Sequence, residues 1–491
     1  MKTRLTALVA VLAFAGISAS ANEVTVSEAK AKASALIANN SRSRLRSESA
    51  EPQLVYTADM TNDDTRASYY VFSKGAGKGF VVISGDDSAR PVLGISDEGD
   101  FDYESLPDGL KSWFDGMREQ VSQAALEGAT VAEQPSYSTS RQNVSPLLTS
   151  TWGQDGGLYN KYAPEISGNK ALAGCVAIAS AQICRYWGGQ LLFKGSVDYT
   201  ANDISISEDL SQYNIDYSTI PDVLNASSSE EAVENTSKLI YATGVAFRSS
   251  YGTDVTTAQQ LYTPSRMFEH LGFSPTSTIY MRKYCGDETY NEVIYNEMVE
   301  GRPLLYWGGV LSDAHCFVID GYDAEQDLFH CNFGWKGTCN GYYALTSIKP
   351  TGSPFNFSVE GYDGCVVGLR PNTGDRPVRP YHQLANLAYS NYNATYNEVT
   401  FTTILSALGV MHTTDYNNLG LKFVNRNNPE MVMYAYSIYG TKQVSTTVPT
   451  SRQPTKITVK AANVPNDGED WLVSIISRPG TSNYEYDYAA N

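Results

Sequence analysis

Two polar interruptions divide this chain into three blocks. Residues 125–145 are polar and rich in Ser and Gln, and a second linker runs from Arg376 to Pro380. Single hydrophobic cores stop growing at about 250–300 residues, so a chain of 491 residues is expected to fold in several pieces. The predicted order is a first unit at 22–140, a larger unit at 141–372, a linker at 373–384 and a third unit at 385–491.

The first and third blocks differ in the pattern of their apolar residues. In the first, Thr25 and Glu28 form a capping box that opens a short helix. An apolar stripe from Leu110 to Val121 has helical spacing and predicts a second helix. Short alternating runs in the third block predict a β-sandwich-like module. The predicted strands are Tyr69–Phe72, Phe80–Ser84 and Val92–Ile95 in the first block, and Glu398–Leu405, Leu419–Val424, Met431–Ile438, Lys456–Lys460 and Trp471–Ile476 in the third.

The N-terminus has the pattern of an export signal. Lys2 and Arg4 precede the apolar run Leu5–Ile17, which is too short to span a bilayer, and Ala19-Ser20-Ala21 fits the small-residue cleavage rule. We therefore predict that residues 1–21 are a signal peptide and that the protein is secreted, to the medium or the cell surface. No later segment has 18 consecutive apolar residues, so no membrane span is predicted.

The charge of the chain bears on its partners. The formal net charge is −17, and the loss of residues 1–21, with two basic residues and no acidic one, takes it to −19. Such an acidic protein is a poor match for nucleic acid or for anionic membranes. We predict neither as a partner, and the same charge also favours solubility.

Cys175 is the candidate nucleophile. Gly174 precedes it, and a run of small residues then opens a helix that is predicted to extend to about Trp187. A helix N-terminus stabilises a thiolate and leaves backbone N–H groups free to bind an oxyanion. Cys184 lies nine residues later, about two and a half turns away, and is predicted to be a core residue on the opposite side. Taken alone, a cysteine on a helix is more often a buried structural residue.

His315 is the candidate general base, at the start of a predicted buried strand. It lies 140 residues after Cys175 (315 minus 175), within the range in which papain-type enzymes place their His and Asn. Asn332 follows 17 residues later, where the neighbouring strand of a hairpin would lie, and its amide oxygen could fix the ring orientation. Trp335 could then shield the His–Asn contact from water. Gln154, 21 residues before the nucleophile, could supply a second oxyanion donor.

A metal site was weighed against this interpretation, because two histidines and three cysteines crowd together between His315 and Cys339. Adjacent strand residues point to opposite faces, so neither His315 with Cys316 nor His330 with Cys331 easily shares one ion. The spacings typical of zinc sites are absent. We predict no metal and no cofactor. The chain has seven cysteines, an odd number, so at least one is left without a pairing partner.

Together these residues resemble the streptopain family, secreted papain-like cysteine peptidases of bacteria. The resemblance covers residues 146–370 and rests on three motifs. These are Gly174-Cys175-Val176-Ala177 through Ala181-Gln182, His315 with Phe317-Val318-Ile319-Asp320-Gly321, and Asn332-Phe333-Gly334-Trp335. Residues 22–140 look like the inhibitory prodomain of the family, and the third block resembles the extra β-domains of its longer members.

The resemblance implies an α+β fold, in which a small α+β prodomain, a two-lobed papain-like domain and a β-sandwich-like module follow one another. It implies a cysteine endopeptidase made as a zymogen, with peptides as substrates and its own prodomain as intramolecular inhibitor. The implied roles are nucleophile for Cys175, base for His315, oxyanion donor for Gln154 and orienting residue for Asn332. The prodomain is expected to disturb the catalytic His.

Activation is then expected to follow a cut within residues 125–145, where the composition predicts an exposed Arg141. The sequence departs from the family pattern at two places. Phe333 stands where the family often has Trp, and Asp313-Ala314 stand where it often has Gly-Gly. The first departure bears on the shielding of the His–Asn contact, and the second on the flexibility of the loop before His315.

Two other functions remain open at this point. A non-catalytic adhesin or binding protein could use the same scaffold, which would suit the acidic surface and the third block. An acyltransferase or amidohydrolase could use the same residues for another acyl transfer. The joint presence of nucleophile, base, orienting residue and oxyanion donor favours the peptidase over the adhesin.

Overall fold

The structure is a computed structural model that describes the greater part of the first two blocks and the strands of the third. The predicted signal peptide and most of the predicted cleavage segment lie outside the described residues. The described ranges are 22–39, 51–126, 141–258, 263–308, 315–345, 363–375, 382–393, 398–407, 419–425, 427–428, 431–436, 455–462, 471–477 and 486–487.

The first block packs two helices against four antiparallel strands. The capping box is formed, since Thr25 N–H donates to Glu28 Oε2 at 2.8 Å. The apolar stripe of the second helix is buried, with Leu110 and Phe114 fully enclosed. The three strands predicted from the apolar runs are therefore present, with a further strand before them. The elements are α1 Val26–Asn39, β1 Gln53–Asp59, β2 Ala67–Ser73, β3 Phe80–Ser84, β4 Val92–Ser96 and α2 Asp108–Leu126.

The second block begins with a largely helical lobe and ends with strands. Among the described residues, no helix is long and apolar enough to cross a membrane. The helical part comprises β5 Glu165–Ile166, β6 Asn169–Lys170, α3 Cys175–Trp187, β7 Ser196–Ala201, β8 Ile204–Asp209, α4 Glu230–Ala246 and α5 Thr263–Leu271. The strand-rich part comprises β9 Thr278–Met281, α6 Arg282–Val299, β10 Leu304–Gly308, β11 His315–Asp323, β12 Leu328–Asn332, β13 Gly341–Tyr343 and β14 Gly364–Val367.

One ten-stranded sheet runs through both blocks, in the order β1-β2-β3-β4-β13-β12-β11-β10-β14-β9. The junction is the antiparallel pairing of β4 with β13, where Ile95 lies opposite Tyr342 and Gly94 opposite Tyr343. Gly94 allows this approach, because a Cβ there would lie 2.5 Å from the Tyr343 ring. The first block thus extends the sheet of the second; the proposed boundary between them, at residue 140, stays a prediction.

Strand β11 separates two apolar clusters. Phe317 and Ile319 belong to the cluster that includes the first block, whereas Cys316 and Val318 belong to the cluster around α3. This alternation follows from the period of two in a β-strand. The same strand therefore presents one face to the first block and the other to the helix of Cys175.

The third block contains strands close to those that the sequence predicts. They lie in two antiparallel sheets, one in the order β15-β16-β19 and the other in the order β18-β17-β20-β21. Their bounds are β15 His382–Asn393, β16 Glu398–Ala407, β17 Leu419–Asn425, β18 Val432–Tyr436, β19 Thr455–Ala462, β20 Trp471–Ser477 and β21 Tyr486–Asp487.

Candidate functional site

Helix α3 begins at Cys175, as the sequence predicts. Gly174 caps it with a φ of 94°, a left-handed conformation that favours glycine. A Cβ at this position would also lie 2.8 Å from the Thr256 methyl group. The cysteine is half-buried in the first turn, and Cys184 further along the helix is fully buried. The helix thus places the thiol at its own N-terminus, with the loop of Thr256 beside it.

The Cys175 thiol is not held as a thiolate in this structure. Burial raises its pKa above the ordinary value, although backbone N–H groups of Cys316, Val176 and Cys175 itself act in the opposite direction. The sequence-based expectation of a lowered pKa considered only the helix N-terminus. In the folded precursor the loss of solvent outweighs that contribution, so the neutral thiol predominates near pH 7.

His315 is the first residue of β11 and is almost fully buried. Its Nε2 lies 2.7 Å from the carbonyl oxygen of Phe333. A carbonyl only accepts, so Nε2 carries the proton and Nδ1 keeps its lone pair. The ring stacks between aromatic side chains, with the Trp335 and Phe317 ring centroids 6.2 and 5.9 Å away.

The first block covers the other side of this imidazole. Gly109, near the start of α2, is so close that a Cβ there would lie 2.8 Å from His315 Nδ1. One turn later, the Trp113 ring lies edge-on to Phe317, with the ring centroids 5.3 Å apart. Burial lowers the pKa of His315 to about 4, while the hydrogen bond with Phe333 acts in the opposite direction. The ring is therefore neutral at physiological pH.

Cys175 and His315 lie close together but on opposite sides of β11. The thiol accepts from the N–H of Cys316, the residue after His315. His315 shares its face of the strand with Phe317 and with α2, whereas α3 packs on the other face. Among the described residues the hydrogen bond of the imidazole is with Phe333, not with the cysteine. The pair is thus neutral and unbonded in this structure.

Asn332 has other partners than the predicted one. Its Nδ2 donates to the Ser150 carbonyl at 2.7 Å and to Gln182 Oε1 at 3.4 Å. Its Oδ1 accepts from Gln182 Nε2 at 3.3 Å. The physical reason is the register: Asn332 pairs with Val318, on the α3 face of the sheet, while the His315 ring lies on the opposite face. Its role as orienting residue in an activated form stays a prediction.

Gln154 and Trp335 lie where the proposed roles need them. Gln154 is 96% buried, and its carbonyl accepts from the N–H of Ala173, two residues before the nucleophile, at 3.0 Å. This bond holds its loop against the N-terminus of α3. Trp335 is stacked against the His315 ring, and its buried Nε1 has no hydrogen-bond partner among the described residues.

Sequence reasoning missed three contributors to this region. Gly109 and the Phe333 carbonyl act through backbone geometry, which leaves no pattern in the residue types. Gln182 is different, because it is an amide on an otherwise apolar helix, seven residues after Cys175 and hence on the same face. That position was a signal that could have been used.

Arg141 was predicted to be exposed, and this is wrong. Its side chain is only 8% exposed and donates to Asn291, Tyr322 and Glu292. Its guanidinium also lies 4.6 Å from the centroid of the Tyr295 ring. Composition could not show this, because the surrounding acidic and aromatic groups come from residues more than 140 positions later in the chain.

The remaining histidines and cysteines do not form a metal-binding group in the part of the chain that the structure describes. The six cysteines whose side chains are described are all free thiols. Cys316 and Cys331 are buried core residues, and His330 pairs with Asp320 at 2.6 Å. The odd count of seven cysteines therefore does not reflect a set of disulfides among these six.

Comparison with known proteins agrees with this arrangement. Residues 152–343 match the Peptidase C10 family, and residues 21–121 match the Spi protease inhibitor family. Thiol protease/hemagglutinin PrtT of Porphyromonas gingivalis is 26% identical over 333 residues, which are 63% of this chain and 38% of PrtT. Streptopain of Streptococcus pyogenes is 26% identical over 353 residues, which are 66% of this chain and 86% of streptopain.

A solved structure resembles the first two blocks. The prointerpain A fragment of Prevotella intermedia superposes with a TM-score of 0.54 at 27% sequence identity. The match covers 65% of this chain and 99% of that fragment. Together with the family matches it confirms the predicted fold class, α+β with a papain-like catalytic domain, and the predicted resemblance.

Proposed function

This chain belongs to the peptidase C10 family of cysteine peptidases, and we propose that it is a secreted endopeptidase made as a zymogen. The observation that carries the proposal is the placement of Cys175 at the N-terminus of α3, next to the strand that begins with His315. The match of residues 21–121 to a protease inhibitor family supports the zymogen. Its substrates are then proteins or peptides, and it needs no cofactor.

The proposed mechanism requires the imidazole to leave Phe333 and reach the thiol. Proton transfer from Cys175 to His315 then gives a thiolate and an imidazolium. The thiolate attacks the peptide carbonyl, and the oxyanion accepts from the Cys175 N–H and the Gln154 side chain. The imidazolium protonates the leaving amine and a thioester forms. His315 then takes a proton from water, which hydrolyses the thioester and releases the thiol.

The first block is proposed to inhibit by holding His315 on the wrong face of β11. Gly109 and Trp113 pack against the imidazole and its neighbour Phe317, which leaves no room for the ring to turn. Two further contacts anchor the block: Ser96 Oγ donates to the Asn340 carbonyl at 2.7 Å, and the buried Arg90 donates to the Asp327 carbonyl at 3.2 Å. Separation of this block would free the imidazole.

Activation is proposed to follow a cut N-terminal to Arg141. From Arg141 onward the chain is bound to the catalytic unit, since Val144 bridges Tyr322 and the Leu147 N–H donates to the Asp320 carbonyl at 2.9 Å. A cut before Arg141 would leave these contacts with the mature enzyme. The predicted signal peptide and the bacterial relatives support export to the medium or the cell surface.

The test is incubation of the purified precursor under reducing conditions, followed by N-terminal sequencing of the products. We expect a mature form that begins at or shortly before Arg141, hydrolyses peptides and is labelled at Cys175 by an epoxide inhibitor of cysteine proteases. Cys175→Ala is expected to stay uncleaved and inactive with an unchanged fold. Cys184→Ala, a buried cysteine on the same helix, is the matched control and is expected to mature normally.

Two outcomes would contradict the proposal. Processing of pure Cys175→Ala precursor at the same position and rate would remove Cys175 from the reaction. A matured wild-type protein that neither takes the label nor cleaves any peptide in a broad screen would favour the binding-protein interpretation.

A further inference from the structure

Gln182 is the one amide on the helix of the nucleophile, and its side chain is fully enclosed. It lies seven residues after Cys175, which is about two turns and about 10 Å along the helix axis. A side chain at that distance and depth does not touch a substrate bound at the thiol. An uncharged amide in such a site costs free energy unless its polar atoms are all paired.

The polar atoms of Gln182 are paired with two other parts of the site. Its Oε1 accepts from Ser150 Oγ at 2.9 Å and from the Trp152 N–H at 3.3 Å. Its Nε2 donates to Asn332 Oδ1 at 3.3 Å, and Asn332 Nδ2 returns a bond to Oε1 at 3.4 Å. The two amides therefore form a reciprocal pair between α3 and β12.

The loop of residues 150–154 depends on this pair at its beginning. Ser150 and Trp152 bind Gln182, and the Ser150 carbonyl also accepts from Asn332 at 2.7 Å. At its end the loop is fixed by the bond from Ala173 N–H to the Gln154 carbonyl. One buried amide thus connects the helix of Cys175, the loop of Gln154 and the strand of Asn332.

We propose that Gln182 is a positioning residue for the oxyanion hole, which sets the loop of Gln154 in register with the N-terminus of the Cys175 helix. It also occupies Asn332, so that this amide serves the loop and the strand rather than the imidazole in the precursor. The inference rests on the proposed peptidase function. It adds a residue that touches neither substrate nor reacting atoms but fixes the distance between the two proposed oxyanion donors.

The test compares matured wild-type enzyme with Gln182→Met, which keeps the volume and removes the hydrogen bonds. We expect kcat on a fluorogenic peptide to fall about 10–100-fold with KM within about threefold, because a displacement of about 1 Å in a catalytic group costs up to about 10²-fold. Alkylation of Cys175 by iodoacetamide, which needs no oxyanion hole, is expected to stay within about threefold. Ser180→Ala, a buried polar residue on the same helix, is the matched control with unchanged kinetics.

Gln182→Glu keeps the proposal testable if the methionine variant does not fold. A neutral carboxyl group can both donate and accept, whereas a carboxylate can only accept and is costly when buried. We expect kcat of Gln182→Glu, relative to wild type at each pH, to rise at least fivefold between pH 7.5 and pH 5. A ratio that does not change with pH, or full kcat in a folded Gln182→Met enzyme, would overturn the inference.

These outcomes are distinct from failure of the proposed function. Wild-type protein that never cleaves the peptide would sink both ideas. An active wild type with an equally active Gln182→Met variant would sink this inference alone.

Discussion

The surroundings of Cys175 and of His315 differ in which part of the chain supplies them. The cysteine is placed by its own helix and by loops of the second block, through the cap at Gly174 and the bond between Ala173 and Gln154. The imidazole is enclosed by the second block on one side and by Gly109 of the first block on the other. The nucleophile side is therefore complete within the catalytic unit, while the base side includes the inhibitor.

This difference teaches where a peptidase of this kind can be switched. Removal of the first block leaves the contacts of α3 and of the loop 150–154 in place, because their partners lie within the second block. The same removal takes away the Gly109 and Trp113 contacts that hold the imidazole on the far face of β11. Activation is then a movement of one side chain rather than the construction of a site.

The largest effect is expected at the nucleophile side. Gln154→Ala should lower kcat of the matured enzyme by about 10²–10³-fold, because it removes one oxyanion donor. Alkylation of Cys175 should remain near the wild-type rate. Gln190→Ala, an exposed glutamine just after α3, is the control, and steady-state kinetics is the measurement. A drop of less than threefold in Gln154→Ala would show that this side needs no side-chain donor.

A smaller effect, on stability, is expected at the base side. Because burial holds the His315 pKa at about 4, the unfolded chain binds a proton between about pH 6.5 and pH 4 that the folded precursor does not. Stability from this group is therefore present above pH 6.5 and lost as the pH falls toward 4. The difference corresponds to about 3 kcal/mol at most.

The measurement is urea unfolding of the Cys175→Ala precursor, which cannot process itself, at pH 7 and pH 4. His315→Gln in the same background removes the titrating group. We expect the double variant to lose up to about 3 kcal/mol less on acidification. Parallel losses in both proteins would show that the buried imidazole does not set the acid sensitivity of the precursor.

The smallest effect is expected from a single methyl group at the contact between the two blocks. Gly109→Ala would place a Cβ 2.8 Å from His315 Nδ1, and overpacking of this kind costs about 1–3 kcal/mol. We expect the uncleaved precursor to be alkylated at Cys175 about tenfold faster, since each 1.4 kcal/mol corresponds to a factor of ten.

Lys111→Ala is the control for that substitution, because its ammonium lies 5.9 Å from the Tyr103 ring within the first block. Its precursor should be alkylated at the wild-type rate. An unchanged rate in Gly109→Ala as well would mean that the close contact at the imidazole contributes nothing to inhibition.

Local patterns carried much of the fold. The helix of Cys175 begins at the predicted residue, and the strand pattern of the third block is reproduced within a few residues, as with Leu419–Val424 and the observed Leu419–Asn425. Both follow from short-range periodicity and from Gly174. The prediction for Arg141 was wrong because its acidic and aromatic neighbours come from distant segments, which composition cannot place.

The sequence by itself determined which residues could do chemistry: a cysteine at a helix start, a histidine at a strand start, and an amide before each of the relevant elements. Only the tertiary structure decided their state. The side of β11 to which the His315 ring turns, the partner of Asn332 and the burial that raises one pKa and lowers the other all depend on packing between distant segments. The period of a strand fixes which residues share a face, but the block packed against that face decides what they do.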